Sequence, residues 1–228
     1  MRLLAIDTAL EACSVAVFDT ASEQMLARES AGMVRGHAEA LMPMVARVMH
    51  DSGLAFADLN RVAVTVGPGS FTGLRVGIAA ARGLALAADR PIVGLTTLAA
   101  YAAPLLADDD AIPVTVAIDA RHAHVYLQTF TAAGQPVAEP RVAPVHDAID
   151  EAIANGARII GTGANLLAAA WPSDAPPPAQ VLQRPAPEIN WVARLGAAAT
   201  ENTAPPRPLY LRAPDARPQD AARLPRRP

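Results

Sequence analysis

A glycine-punctuated junction, VTVGPGSFTGLRVGIAAARGLALA from Val64 to Ala87, leaves the chain around it few ways to fold. A branched apolar run stops at Gly67-Pro68-Gly69, and a long helical pattern begins almost at once. A strand feeding directly into a helix is an α/β device, and the helix needs a sheet to lie on. The same junction aims backbone N–H groups and a helix dipole at one point, where an anion is favoured. The spacing of Gly67, Gly69 and Gly73 is not that of the dinucleotide fingerprint, whose third glycine follows the second more closely. A purely structural tight turn accounts for the same residues: Pro68 sets φ, the glycines supply unusual dihedrals, and Ser70 or Thr72 caps the helix.

Composition removes several chemistries. All 19 basic residues are arginines, so neither the phosphate-reaching lysine of a P-loop nor a Schiff-base lysine is available. The 228 residues carry a formal net charge of −3, enough chain for one large or two small domains and no overall basic balance for nucleic acid. Cys13 is the single cysteine, which excludes an intrachain disulfide and a cysteine-built zinc site. Arg2 precedes a short apolar run that Asp7 interrupts, unlike a signal peptide. No stretch reaches the roughly 20 apolar residues of a membrane span, so the expectation is a soluble cytoplasmic protein without a membrane partner.

Leu3 to Ala9 and Cys13 to Asp19 read as a β-hairpin, with Glu23 to Ser30 as a third strand. Gly36 to Gly53 reads as a helix that Gly53 ends, with a kink or a start near Pro43. Arg61 to Gly67 is a buried strand, Pro91 to Leu95 another, and Thr97 to Ala107 a helix interrupted at Pro104. A second hairpin then turns around Ala120 to His122, and weaker signals follow to about Asn202. A hairpin followed by alternating helices and strands, twice over, predicts two related α/β lobes over 1–107 and 108–213. A Pro/Arg-rich tail over 214–228 is expected to be disordered.

Two helix faces stand out. Leu41, Met42, Met44, Val45, Val48 and Met49 cover most of one helix, which predicts burial on more than one side. Gly73, Gly77 and Ala81 form a small-residue ridge that lets another backbone approach closely. Either face could be ordinary core or a partner contact. His37 and Leu41 lie four apart, the spacing of a histidine metal pair, but leucine is no ligand, and His50, His122, His124 and His146 do not complete it. No metal is expected. Asp7 and Thr8, with Ser14 opposite, could hold a magnesium-bound phosphate or form a plain turn, and Asp119 is a possible counterpart in the second lobe. No Ser/His/Asp or paired-carboxylate arrangement can be assembled, so no catalytic residue is assigned.

The segments AIDTALEACSVAVF, HAEALMP, VTVGPGSFTGLRVGIAAARGLA, IDARHAHVY and PLYLRAPDA together resemble the bacterial TsaB (YeaZ) family of tRNA threonylcarbamoyladenosine biosynthesis proteins. The resemblance is strong over residues 1–130, loose over 131–200, and re-anchored at Tyr210 to Arg212. It implies a two-lobed actin/sugar-kinase-like (ASKHA, ribonuclease H-like) fold, each lobe a mixed sheet flanked by helices. It also implies a non-catalytic partner of the paralogue TsaD, which carries the histidine pair that His37 and Leu41 only half reproduce. The implied partner contact lies on residues 37–49 and 70–86, where His37, Leu41, Met44, Val45, Val48, Phe71, Gly73, Leu74, Gly77 and Ala81 are the candidates. The ATPase TsaE joins the complex, tRNA is reached through it, ATP or ADP could lodge at the TsaD interface, and the free protein could form a homodimer. On that reading Asp7, Thr8, Gly67, Gly69 and Ser70 are a vestigial phosphate site, and the chain alone binds no cofactor tightly. Two other readings are a small ATP-binding kinase-like enzyme using those residues and a glycopeptidase-like protease, for which no nucleophile is present. The absence of lysine and the tail after Arg212 depart from the family pattern.

Overall fold

The computed structural model describes residues 1–108, 111–201 and 204–212; the tail expected to be disordered lies outside them. Ten strands form two five-stranded sheets. The first contains β1 (Arg2–Asp7), β2 (Ala12–Asp19), β3 (Gln24–Gly32), β4 (Arg61–Gly67) and β5 (Ile92–Thr96), in the order β3-β2-β1-β4-β5. The second contains β6 (Val114–Arg121), β7 (His124–Phe130), β8 (Arg141–Pro144), β9 (Arg158–Gly161) and β10 (Val181–Gln183), in the order β8-β7-β6-β9-β10. Position for position the two orders are the same. In each, the first three strands are antiparallel neighbours and the last two add in parallel. This duplicated topology is the actin/sugar-kinase-like fold.

Six helices cover the sheets: α1 (His37–Ser52), α2 (Phe71–Ala88), α3 (Thr97–Ala107), α4 (Val145–Ala154), α5 (Ala164–Ala169) and α6 (Ile189–Ala198). The inner strands β1, β2 and β4 are apolar on both faces because helices lie on both sides. Alternate residues point opposite ways along β1. Leu4 and Ile6 meet Leu41, Val45, Leu74 and Ile78 of α1 and α2, whereas Leu3 and Ala5 meet Ile189, Val192 and Ala193 of α6. In the second lobe, α3 packs its Leu98, Tyr101 and Leu105 on Val114, Val116 and Ile118, and α4 and α5 cover the opposite face.

The sequence-based boundary at 108–213 needs correction. Helix α6 lies on the first sheet, and Leu209 N–H donates to Val66 O at 2.7 Å. Residues 189–210 therefore return to the first lobe. A local pattern tells that a helix has an apolar stripe, not which of two sheets receives it. Helix α1 runs from His37 to Ser52 with Pro43 inside it, so the helix does not start at that proline.

Each lobe buries one arginine at the start of its fourth strand. Arg61 donates to the carbonyls of Gly196, Ala197 and Ala199 at the end of α6. Arg158 donates to Leu105 O, in the last turn of α3, and to Ile112 O. A helix end carries unpaired carbonyls and partial negative charge, and a guanidinium with several donors meets both needs.

Helix α2, with a mean hydropathy of 1.3 over 18 residues, is long and apolar enough to cross a membrane. The sequence reading did not single it out as such. Its composition here follows from close packing, since Gly73, Leu74, Gly77, Ile78, Ala81 and Ala85 lie buried.

Candidate functional site

The two lobes enclose a cavity of about 860 Å³. Its walls come from the β1–β2 turn at Leu10 and Glu11, the glycine turn at Gly69 to Phe71, the β6 end at Asp119 to Arg121, and Thr162, Tyr210 and Arg212. Cavities of this size suit a small molecule when a few polar groups converge on apolar walls. Asp119 does face it. Its carboxylate accepts the Arg121 N–H at 2.8 Å and lies 3.5 Å from the Arg121 guanidinium, while its own N–H donates to Thr162 Oγ1 at 2.9 Å.

Asp7 and Thr8, which the sequence offers as either a phosphate site or a plain turn, are not among the walls of this cavity. Both are fully buried beneath the first turns of α2. Asp7 Oδ1 accepts the Thr65 hydroxyl at 2.5 Å and the Ala9 N–H at 3.1 Å. Burial pushes the Asp7 carboxyl above its ordinary range, with the Thr65 hydrogen bond acting the other way. Thr8 Oγ1 donates to Gly73 O at 2.7 Å, and Ser14 pairs with Ser30 at 2.6 Å. The glycines are the cause of the closure. A side chain on Gly69 would strike Ala9 O, one on Gly73 would strike Thr8 O, and one on Gly77 would strike Thr8 Oγ1. The backbone of α2 thus lies directly on the Thr8–Ala9 turn. Of the five candidate phosphate residues, Gly69 and Ser70 reach the cavity wall. The Ser70 groups are engaged: its N–H donates to Ala9 O at 2.7 Å and its side chain accepts from Gly73 N at 3.3 Å. Gly67 sits at φ 112 under Leu209 and Leu74.

The partner-contact candidates also need relocation. Leu41, Met44, Val45, Val48, Leu74 and Ala81 are no more than 1% exposed, and Gly73 and Gly77 are buried. They fasten α1 and α2 to the sheet. The ridge of Gly73 and Gly77 admits the Thr8 end of β1, not a second protein. His37 is buried, with Nε2 3.0 Å from Leu10 O, and holds the hairpin turn. Phe71 is half exposed, stacked on Tyr210 beneath Arg75. What α1 and α2 leave outward is a different set: Met42, Pro43 and Ala46 beside Glu39 and Arg47 on one, and Ala79, Gly83, Leu86 and Ala87 around Arg82 on the other. Leu86 is 84% exposed and Met42 46%.

Sequence reasoning passed over Gly161-Thr162-Gly163, where the second lobe repeats the strand-to-helix glycine turn. Gly161 lies at φ 129, packs against Ala117, and ends β9 as Gly67 ends β4. The signal was a branched apolar run ending in Gly-X-Gly before a short helix. Among the described residues, no cluster of three His, Cys, Asp or Glu could hold a metal ion.

Comparison with known proteins places this geometry in a lineage. A family model, TsaD: tRNA N6-adenosine threonylcarbamoyltransferase, matches residues 18–208. The chain is 43% identical over 134 residues to the tRNA threonylcarbamoyladenosine biosynthesis protein TsaB of Escherichia coli K12, covering 57% of this chain and 55% of that protein. Haemophilus influenzae TsaB is 40% identical over 127 residues, covering 56% of this chain and 52% of that protein. The chain thus matches about half the length of these curated relatives. The structure of YeaZ from Pseudomonas aeruginosa superposes with a TM-score of 0.76 at 29% identity, covering 92% of this chain and 99% of that one.

Proposed function

The chain belongs to the TsaB (YeaZ) family, and from that premise we propose that it is the non-catalytic partner of a TsaD-type transferase in forming threonylcarbamoyladenosine in tRNA. The transferase moves the threonylcarbamoyl group from its adenylate to the adenosine beside the anticodon, in tRNAs reading codons that begin with A. This chain binds the transferase in its active conformation and shifts the population toward it. The ATPase TsaE completes the assembly, tRNA is engaged through the complex, and the setting is the cytoplasm. A nucleotide, where one is held, sits at the junction with the transferase.

The observation that carries this reading is the outward face of α1 and α2. Its alanines and glycine let a partner helix approach closely, and Met42 and Leu86 provide apolar area that a lone protein leaves in water. Two such helices packed on two from a paralogue make a four-helix bundle. The closed Asp7–Thr8 pocket argues against the kinase-like alternative, which needs both side chains on phosphate.

Ala79→Arg places a charged side chain on that face without touching the core. Isothermal titration with the same organism's TsaD should show at least a tenfold loss of affinity, with an unchanged circular dichroism spectrum. Undiminished affinity in the folded variant would move the contact off this face.

A further inference from the structure

Residues 204–212 run across the mouth of the cleft and touch both lobes. On the first, Leu209 N–H donates to Val66 O at 2.7 Å, and Pro206 is buried against Gly94. The Tyr210 ring stacks on Phe71 with centroids 5.4 Å apart. Its hydroxyl accepts from Arg75 Nε at 3.0 Å, and the Arg75 guanidinium lies 3.7 Å above the Phe71 ring. On the second lobe, Arg212 Nη1 donates to Ala120 O at 2.8 Å.

Both acceptors lie at irregularities in their sheets. The register of β4 on β5 shifts between Thr65 and Gly67, passing over Val66. The register of β6 on β7 shifts between Asp119 and Arg121, passing over Ala120. A bulge takes one residue out of the ladder, and its carbonyl then needs a donor from elsewhere. The same short segment supplies that donor in each lobe.

We propose that residues 206–212 are an inter-lobe strap that sets how far the cleft opens, by tying the first turn of α2 to the bulge in β6. Movement of Phe71 or Arg75 is carried through Tyr210 to Arg212, and so to the β6–β7 hairpin. An event at the start of α2 thereby changes the opening of a cavity that Tyr210 and Arg212 themselves line. The strap requires no ligand in the cleft and does not depend on which protein α2 meets.

The test uses the full chain with spin labels at Ala87→Cys and Asp150→Cys, one exposed site per lobe. Cys13 is buried, and burial pushes its thiol up to about 11, so it stays unlabelled in the native protein. Inter-lobe distances are read by double electron–electron resonance in this parent and in Arg212→Ala, Tyr210→Phe and the exposed-site control Arg207→Ala. The expected result is an outward shift of several ångström with a broader distribution in Arg212→Ala. A smaller shift the same way is expected in Tyr210→Phe, and the parent distribution in Arg207→Ala. An outward shift in either strap variant with an unmoved control upholds the strap. Parent-like distributions in both, or an equal shift in the control, overturn it.

Discussion

Asp7 shows at the scale of one residue what burial under α2 does to a carboxyl. Its carboxyl is fully buried, one oxygen holds the Thr65 hydroxyl and the Ala9 N–H, and Oδ2 has no partner. Ionising such a group is costly, which is why its folded pKa lies above the ordinary 3.8. A carboxyl raised on folding contributes stability that is fully present below pH 3.8 and is lost as pH rises through the folded value. Asp7→Asn keeps both hydrogen bonds and carries no charge, but it sets an amide NH2 where Oδ2 has no partner. The native protein should therefore lose stability relative to Asp7→Asn, by about 1 kcal/mol, as pH rises from 4 to 7. Urea unfolding across that range checks this; a difference that does not change with pH would mean that burial does not raise the Asp7 carboxyl. Asp7 was legible in the sequence as a notable residue at a strand end. Its solvation was not, because burial comes from α2, some 65 residues further along the chain at Gly73.

At the scale of elements, α2 carries two small-residue faces with opposite jobs. Gly73 on the inner face admits the Thr8 backbone, whereas Gly83 on the outer face has open space around it. Gly73→Ala should cost about 2 kcal/mol, because backbone must move to make room. Gly83→Ala should add about 0.5–1 kcal/mol, the ordinary gain of alanine over glycine in an exposed helix. Chemical denaturation of the two variants separates them, and equal effects would contradict this assignment of faces. The strand, turn and helix from Arg61 to Ala88 could be read almost to the residue, since a branched apolar run, Gly-Pro-Gly and a small-residue helical pattern follow in order. Which side of that helix meets the sheet could not. The small residues at 73, 77 and 81 and the exposed ones at 79, 83 and 87 have similar composition, and only the position of β1 tells them apart. A charged substitution at Gly77 consequently probes folding, and one at Ala79 probes association.

At the scale of the whole molecule, one topology is used twice and residues 204–212 touch both copies. The duplication was legible, because two hairpins each begin a strand–helix alternation. The return of residues 189–210 to the first lobe was not, because no local pattern specifies which sheet a distant helix or segment will meet. The Asp7–Thr8 end of β1 is closed under α2, while Met42 and Leu86 stand outward on α1 and α2 beside Glu39, Arg47 and Arg82. The most direct measurement is reconstitution with the same organism's TsaD, TsaE, tRNA, ATP and threonylcarbamoyl-AMP, with modified adenosine quantified by mass spectrometry. The account predicts modification with the native chain, loss of at least nine-tenths of it with folded Ala79→Arg, and near-native modification with Asp7→Asn. Full modification with Ala79→Arg, or its abolition by a well-folded Asp7→Asn, would contradict it.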